Sequence, residues 1–103
     1  MKKTRQSKHQ LNPYSDGRYY HAYYLYVAAY LYAHGLELVN VERYAPEKYV
    51  FVFRDAPERE ELARQFEYGP QALIDARNLV TALEELKFQQ EEADRAVEAS
   101  TSL

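Results

Sequence analysis

Residues 18–35 read RYYHAYYLYVAAYLYAHG, and the way this stretch folds decides how the rest of the chain is arranged. It holds seven of the eleven tyrosines, set among leucine, alanine and valine, and it closes on a glycine. At about 100° per residue, Tyr24, Leu25, Ala28, Leu31 and Tyr32 fall on one broad face, with Val27 at its margin. Tyr23, Tyr26, Tyr30 and His34 gather on the opposite face. That spacing predicts one helix of about four turns from Tyr20 to His34, with Gly35 as the left-handed residue just past its end. The inner face belongs to a core, and the outer one is unusually rich in amphipathic rings.

Beyond Gly35 the pattern changes. Leu36–Tyr44 (LELVNVERY) and Tyr49–Arg54 (YVFVFR) are rich in valine and aromatic residues and are separated by a proline-containing break. They read as the two strands of an antiparallel hairpin. The loop around Ala45–Lys48 lacks Asn-Gly or Gly-Gly and reads as longer than a two-residue turn. Both faces of the second strand are apolar, with Tyr49, Phe51 and Phe53 on one and Val50 and Val52 on the other. One face packs on helices, and the other needs a cover from a helix, a tail or another chain.

Two further helices follow. Asp55 has the chemistry of an N-cap, Pro57 stands in the first turn, and Glu58 three residues after the cap completes a capping-box pattern. Leu62, Ala63 and Phe66 supply the apolar side, and Gly69-Pro70 ends the helix. A third helix is expected from Gln71 or Ala72, with Ala72, Ala76, Leu79, Leu83 and Leu86 as its stripe. The apolar content thins after Leu86. The predicted organisation is a basic arm over residues 1–18, a single α+β domain over 19–90 and a helical overhang with a frayed tail over 91–103. The predicted fold class is α+β, a two-stranded antiparallel hairpin packed against three helices in the order α-β-β-α-α. The expected core is Leu25, Ala28, Leu31, Leu38, Val50, Val52, Leu62, Phe66, Leu79 and Leu83.

With 103 residues the chain is long enough for one modest core. It has no cysteine, which removes disulfides, thiolate catalysis and cysteine-type zinc sites and fits a reducing compartment. No run approaches the length of a membrane span and the basic start is not followed by an apolar segment, so a cytoplasmic protein with no membrane partner is expected. The formal net charge is −3. It is unevenly spread, because Lys2, Lys3, Arg5 and Lys8 precede the first acid while the last twenty residues are acidic.

Chemistry-bearing patterns are sparse. His21 and His34 are expected about 20 Å apart along one helix, which excludes a shared metal, and no metal-ligand spacing is present. Ser15, Thr81 and Ser100 have no histidine at a spacing that implies a triad. Each of the three glycines marks an element boundary rather than a phosphate loop. No catalytic, cofactor-binding or metal-ligating residue is assigned, and the chain reads as a non-enzyme.

What remains is surface. Tyr23, Tyr26, Tyr30 and His34, with Arg43 and Lys48 flanking the hairpin loop, form a candidate interaction surface. Tyrosine there offers rigid area with a polar tip to a protein partner or a second copy in a homodimer. A second reading stacks nucleic-acid bases on the same rings, with Lys2, Lys3, Arg5, Lys8 and Arg18 as phosphate contacts. A third has the N-terminal arm or the overhanging third helix fold over them within the same chain. The leading expectation is a protein-interaction module, self-associating through the tyrosine-rich helix or the hairpin. A small single-stranded nucleic-acid binder is the alternative.

The runs LYVAAYLYAHGLELVNVER, YVFVFRD, LARQFEYG and LIDARNLVTALEELK resemble a family of short uncharacterised bacterial and phage-encoded domains. The resemblance rests on an L-x-x-A-x-x-L-x-x-x-G segment (Leu25, Ala28, Leu31, Gly35) and an F-x-F strand (Phe51, Phe53), and it covers residues 20–88. It implies the order helix, two strands, helix, helix, and it implies no activity.

Overall fold

The computed structural model describes residues 13–69 and 73–101. Its element order is β1 (Tyr19–Ala22), α1 (Leu25–Ala33), β2 (Leu38–Ala45), β3 (Lys48–Arg54), α2 (Arg59–Tyr68) and α3 (Ala76–Thr101). The three strands form one antiparallel sheet in the order β1-β3-β2. The expected two-stranded hairpin with order α-β-β-α-α is therefore corrected to a three-stranded sheet with order β-α-β-β-α-α.

The correction lies in the tyrosine-rich stretch. Tyr19–Ala22 pairs with β3, in the register Tyr20 to Phe53 and Ala22 to Phe51. A strand wins there because β3 has apolar side chains on both faces and would otherwise present a bare edge. Aromatic side chains also suit a pleated, half-buried surface. A turn sets up the entry: Asp16 Oδ1 accepts the Arg18 backbone N–H at 2.9 Å, and the Asp16 carbonyl accepts from Tyr19 at 3.3 Å. Only after Tyr24, still extended at φ −118° and ψ 131°, does the helix begin.

Helix α1 ends as its glycine predicts. Gly35 has φ +101°, Leu36 N–H donates to the Leu31 carbonyl at 3.1 Å and Gly35 N–H to the Tyr32 carbonyl at 3.0 Å. This is a Schellman closure, and buried Leu36 packs with buried Leu31 as its hydrophobic clasp. Five consecutive residues, Val27 to Leu31, are buried. Burial of five successive residues covers most of the helix, and of its rings Tyr26 stays open to solvent.

Phe51 and Phe53 point to the helices, where they join Ala28, Ala29 and Leu31 of α1 and Ala82 and Leu86 of α3. Each fully buried ring contributes about 2–3 kcal/mol relative to exposure. On the other face Val52 is flanked by His21 and Asn40, and Val50 by Glu42. The segment before β1 folds against this face, with Tyr14 edge-on to Tyr19 at 5.1 Å and Ser15 beside Val50 and Glu42.

Three local expectations change. The β2–β3 loop is a two-residue turn, Pro46–Glu47, with Glu47 at φ +61°. Proline fixes the first corner, and the second takes a left-handed residue without glycine. Such a turn fits the strand twist poorly; the ladder absorbs this in a register shift at Tyr44. Asp55 does not cap α2: its carboxylate receives the Arg59 guanidinium at 2.9 and 3.1 Å. Glu58 takes the cap position with no side-chain bond. Helix α3 begins at Ala76, because Asp75 Oδ1 accepts the N–H groups of Arg77 (2.9 Å) and Asn78 (3.2 Å). The earlier start positions, Gln71 and Ala72, lie outside the described residues.

Candidate functional site

The link between β1 and α1 and the tip of the β2–β3 hairpin meet at one end of the molecule. Tyr23 and Tyr24 form the link, and neither is drawn into a ladder or a helix that would bury it. Tyr44 stands at the register shift that the tight turn forces. Tyr23 and Tyr44 meet edge to face, centroids 5.8 Å apart and planes at 85°, a favoured ring geometry. Their pair forms a ridge between two hollows. One, about 380 Å³, has Tyr24, Lys48 and Gln90 on its walls and Phe51 at its base. The other, about 560 Å³, has Ser15, His21, Glu42 and Val50.

Exposure decides which rings count. Tyr23, Tyr24, Tyr26 and Tyr44 are 55%, 71%, 62% and 55% exposed, whereas Tyr30 is 1% exposed. Glu47 and Lys48 supply one charge of each sign at the hairpin tip.

The six candidate surface residues thus separate. Tyr23 and Lys48 line one hollow together, and Tyr26 is exposed in the first turn of α1. Tyr30, expected on the outer face, is a core residue whose hydroxyl donates to Gln65 Oε1 at 3.3 Å and whose ring lies 5.2 Å from Phe66. His34 Nε2 donates to the Leu73 carbonyl at 3.1 Å, and its ring packs on Tyr30 at 4.5 Å. Arg43 sits on the helix side, bound to Asp94 of α3 at 3.3 Å. The same carboxylate accepts the Tyr49 hydroxyl at 2.8 and 3.0 Å, and that hydrogen bond pushes the Tyr49 phenol above its ordinary pKa. Among the proposed phosphate contacts, Lys2, Lys3, Arg5 and Lys8 lie outside the described residues. The fifth, Arg18, grips Asp16 at 2.8 Å, which raises the guanidinium and lowers the carboxyl.

Tyr24 and Tyr44 were not among the sequence candidates. Tyr24 fell on the inner face of a helix assumed to start earlier. Tyr44 carried one signal, its place two residues before the hairpin proline. A second cluster anchors β1: Arg59 lies over the Tyr20 ring at 4.1 Å while Asp55 holds its guanidinium. That contact lowers the Asp55 pKa and raises that of Arg59.

Among the described residues no group of three or more His, Asp or Glu converges as metal ligands, and no helix is long and apolar enough to cross a membrane. Fold and surface together define a small α+β domain with helices against one face of a three-stranded antiparallel sheet and an aromatic end.

The chain belongs to the family described as Domain of unknown function (DUF5659), which residues 17–87 match. No curated protein and no solved structure matches it. The family is thus one of unknown function, in keeping with the resemblance in the sequence, but the helix-first order implied by that resemblance is replaced by the strand-first order above.

Proposed function

We propose that this chain is a non-enzymatic protein-interaction module that associates through its aromatic end, with a second copy of itself as the partner. The observation that carries the reading is the exposed ridge and its neighbours, Tyr23, Tyr44, Tyr24 and Tyr26. Four large rings over half exposed at one end exceed the scattered apolar exposure of an ordinary surface. Tyrosine is enriched at interface centres for its rigid area. Glu47 and Lys48, side by side at the tip, give the patch both signs, which suits a two-fold contact between like surfaces. A cytoplasmic setting accords with the cysteine-free composition.

The nucleic-acid alternative has less support. Arg18 is engaged by Asp16, and Glu42 and Glu47 border the two hollows. Sedimentation velocity over a wide concentration range tests the proposal. A reversible dimer that weakens in the Tyr24→Ser/Tyr26→Ser variant is expected. A strict monomer overturns self-association, and salt-sensitive binding of single-stranded DNA by that monomer establishes the alternative.

A further inference from the structure

A different surface lies along the far side of the sheet. Among the described residues strand β2 pairs only with β3, which leaves its outer row of backbone N–H and C=O groups for a further strand. Helix α3 runs beside this edge and turns one face toward it, with Glu85, Gln89, Glu92 and Ala96 at helical spacing. Between them and Leu38–Val41 runs a groove of about 440 Å³. It continues as a second hollow of about 350 Å³ beside Asn40–Arg43, walled by Ala93, Ala96 and Val97. Alanine on the wall lets a neighbouring backbone come close.

Two features set what fits. The ladder to β3 is regular only from Asn40 to Arg43, between register shifts near Val39 and Tyr44. Such bulges restrict edge pairing, so an incoming strand meets a short regular template. The walls are also acidic. Glu42, Glu85 and Glu92 line the two hollows, and the one cation among the described lining residues, Arg43, is held by Asp94. Glu92 has Arg95 as a neighbour, and Glu85 Oε2 accepts the Gln89 amide at 2.9 Å.

We propose that this groove binds a short extended segment of a protein partner as a fourth strand, with lysine or arginine side chains set against the acidic wall of α3. Main-chain bonds to Asn40–Arg43 supply the docking, and the carboxylates select the charge. A second copy docking edge to edge would bring the Glu85–Glu92 wall of each copy against the same wall of the other, a like-charge contact that disfavours this occupant. The inference stands apart from the aromatic end, since Tyr23, Tyr24 and Tyr26 line neither hollow.

The test uses the full chain and two labelled hexapeptides, one alternating Lys and Val and one alternating Glu and Val. Fluorescence anisotropy reads binding, and backbone amide exchange reads the edge. The Lys-Val peptide is expected to bind, to weaken about tenfold between low and high salt, and to slow exchange of the Asn40–Arg43 amides. The Glu85→Lys/Glu92→Lys variant, altered outside the buried core, is expected to keep its circular dichroism and lose that binding. Equal binding of both peptides, or binding that leaves the edge amides unchanged, overturns the proposal. So does protection of the outward-facing edge amides before any peptide is added. If that protection grows with concentration the occupant is a second copy, and if it does not the occupant is the chain itself.

Discussion

Tyr19–Ala22 and Leu25–Ala33 are neighbours in the chain, share a composition of tyrosine, alanine and few other types, and fold into a strand and a helix respectively. Local preference separates them weakly. The strand half meets a partner, the free side of β3, whose paired residues lie 29 to 35 positions further along the chain. The helix half packs against apolar surface from β3, α2 and α3 and leaves Tyr26 open to solvent. Tertiary context overrides a periodicity that runs unbroken through both. It also reverses the roles of the rings: Tyr24, apparently inward, is open to solvent, and Tyr30, apparently outward, is in the core.

The sharpest way to break this comparison is to truncate one ring in each setting. Tyr30→Ala is expected to cost about 3–5 kcal/mol by analogy with other buried aromatic truncations. Tyr26→Ala, at an exposed site, should stay within about 0.5 kcal/mol. Urea midpoints measure both, and equal losses would mean that the ring assignments are wrong.

Next in size is Gly35→Ala. Nothing within 4 Å would obstruct the added carbon, so the cost is that of the backbone at φ +101° alone, about 1–2 kcal/mol. A thermal melt showing no loss would remove the Schellman closure from the account of why α1 stops.

The strand half is probed through Asp55→Asn, which loosens Arg59 from its place over Tyr20 and is expected to cost about 1–1.5 kcal/mol at neutral pH. The folded-state pKa of Asp55 is lowered, first of all by the Arg59 hydrogen bond. Its contribution is therefore full above the unfolded value near pH 4 and fades as pH falls through the folded one. Wild type and variant should converge in stability at low pH, and parallel acid limbs would show that the pair contributes nothing.

The smallest expected loss among the remaining variants tests neither half but the anchor of α3 on the sheet. Tyr49→Phe removes the phenol bond to Asp94 at a cost of about 1 kcal/mol. Because the Tyr49 pKa is raised in the folded state, that contribution is present below about pH 10 and is lost as pH rises through the folded value. The difference between the two proteins should therefore shrink in alkaline denaturation curves.

Much of the framework was readable from local chemistry. Gly35 announced a helix end, alternating valine and aromatic residues announced β2 and β3, and a four-and-three apolar repeat announced α3. Strand β1 was not, because four residues carry too little pattern to contradict a helix and the deciding partner is remote in sequence. Asp55 offered the right side chain for a cap, and only the position of Arg59 one turn later shows that the carboxylate is taken. The aromatic end was half legible. Tyr23 and Lys48 were picked out from composition and turn position, while Tyr24 and Tyr44 depended on where a helix starts and where a ladder slips, which no single residue declares.

The strand order β1-β3-β2 also carries a consequence in time. The β2–β3 hairpin closes through two residues and forms quickly, whereas β1 must wait for an edge that exists only once β3 is in place. During synthesis the tyrosines of β1 leave the ribosome before β3 does, and Tyr19 finds its partner only after Arg54 has emerged. The aromatic stretch that most shapes this domain is thus held unpaired longest, and a kinetic study should find its native contacts among the last to form.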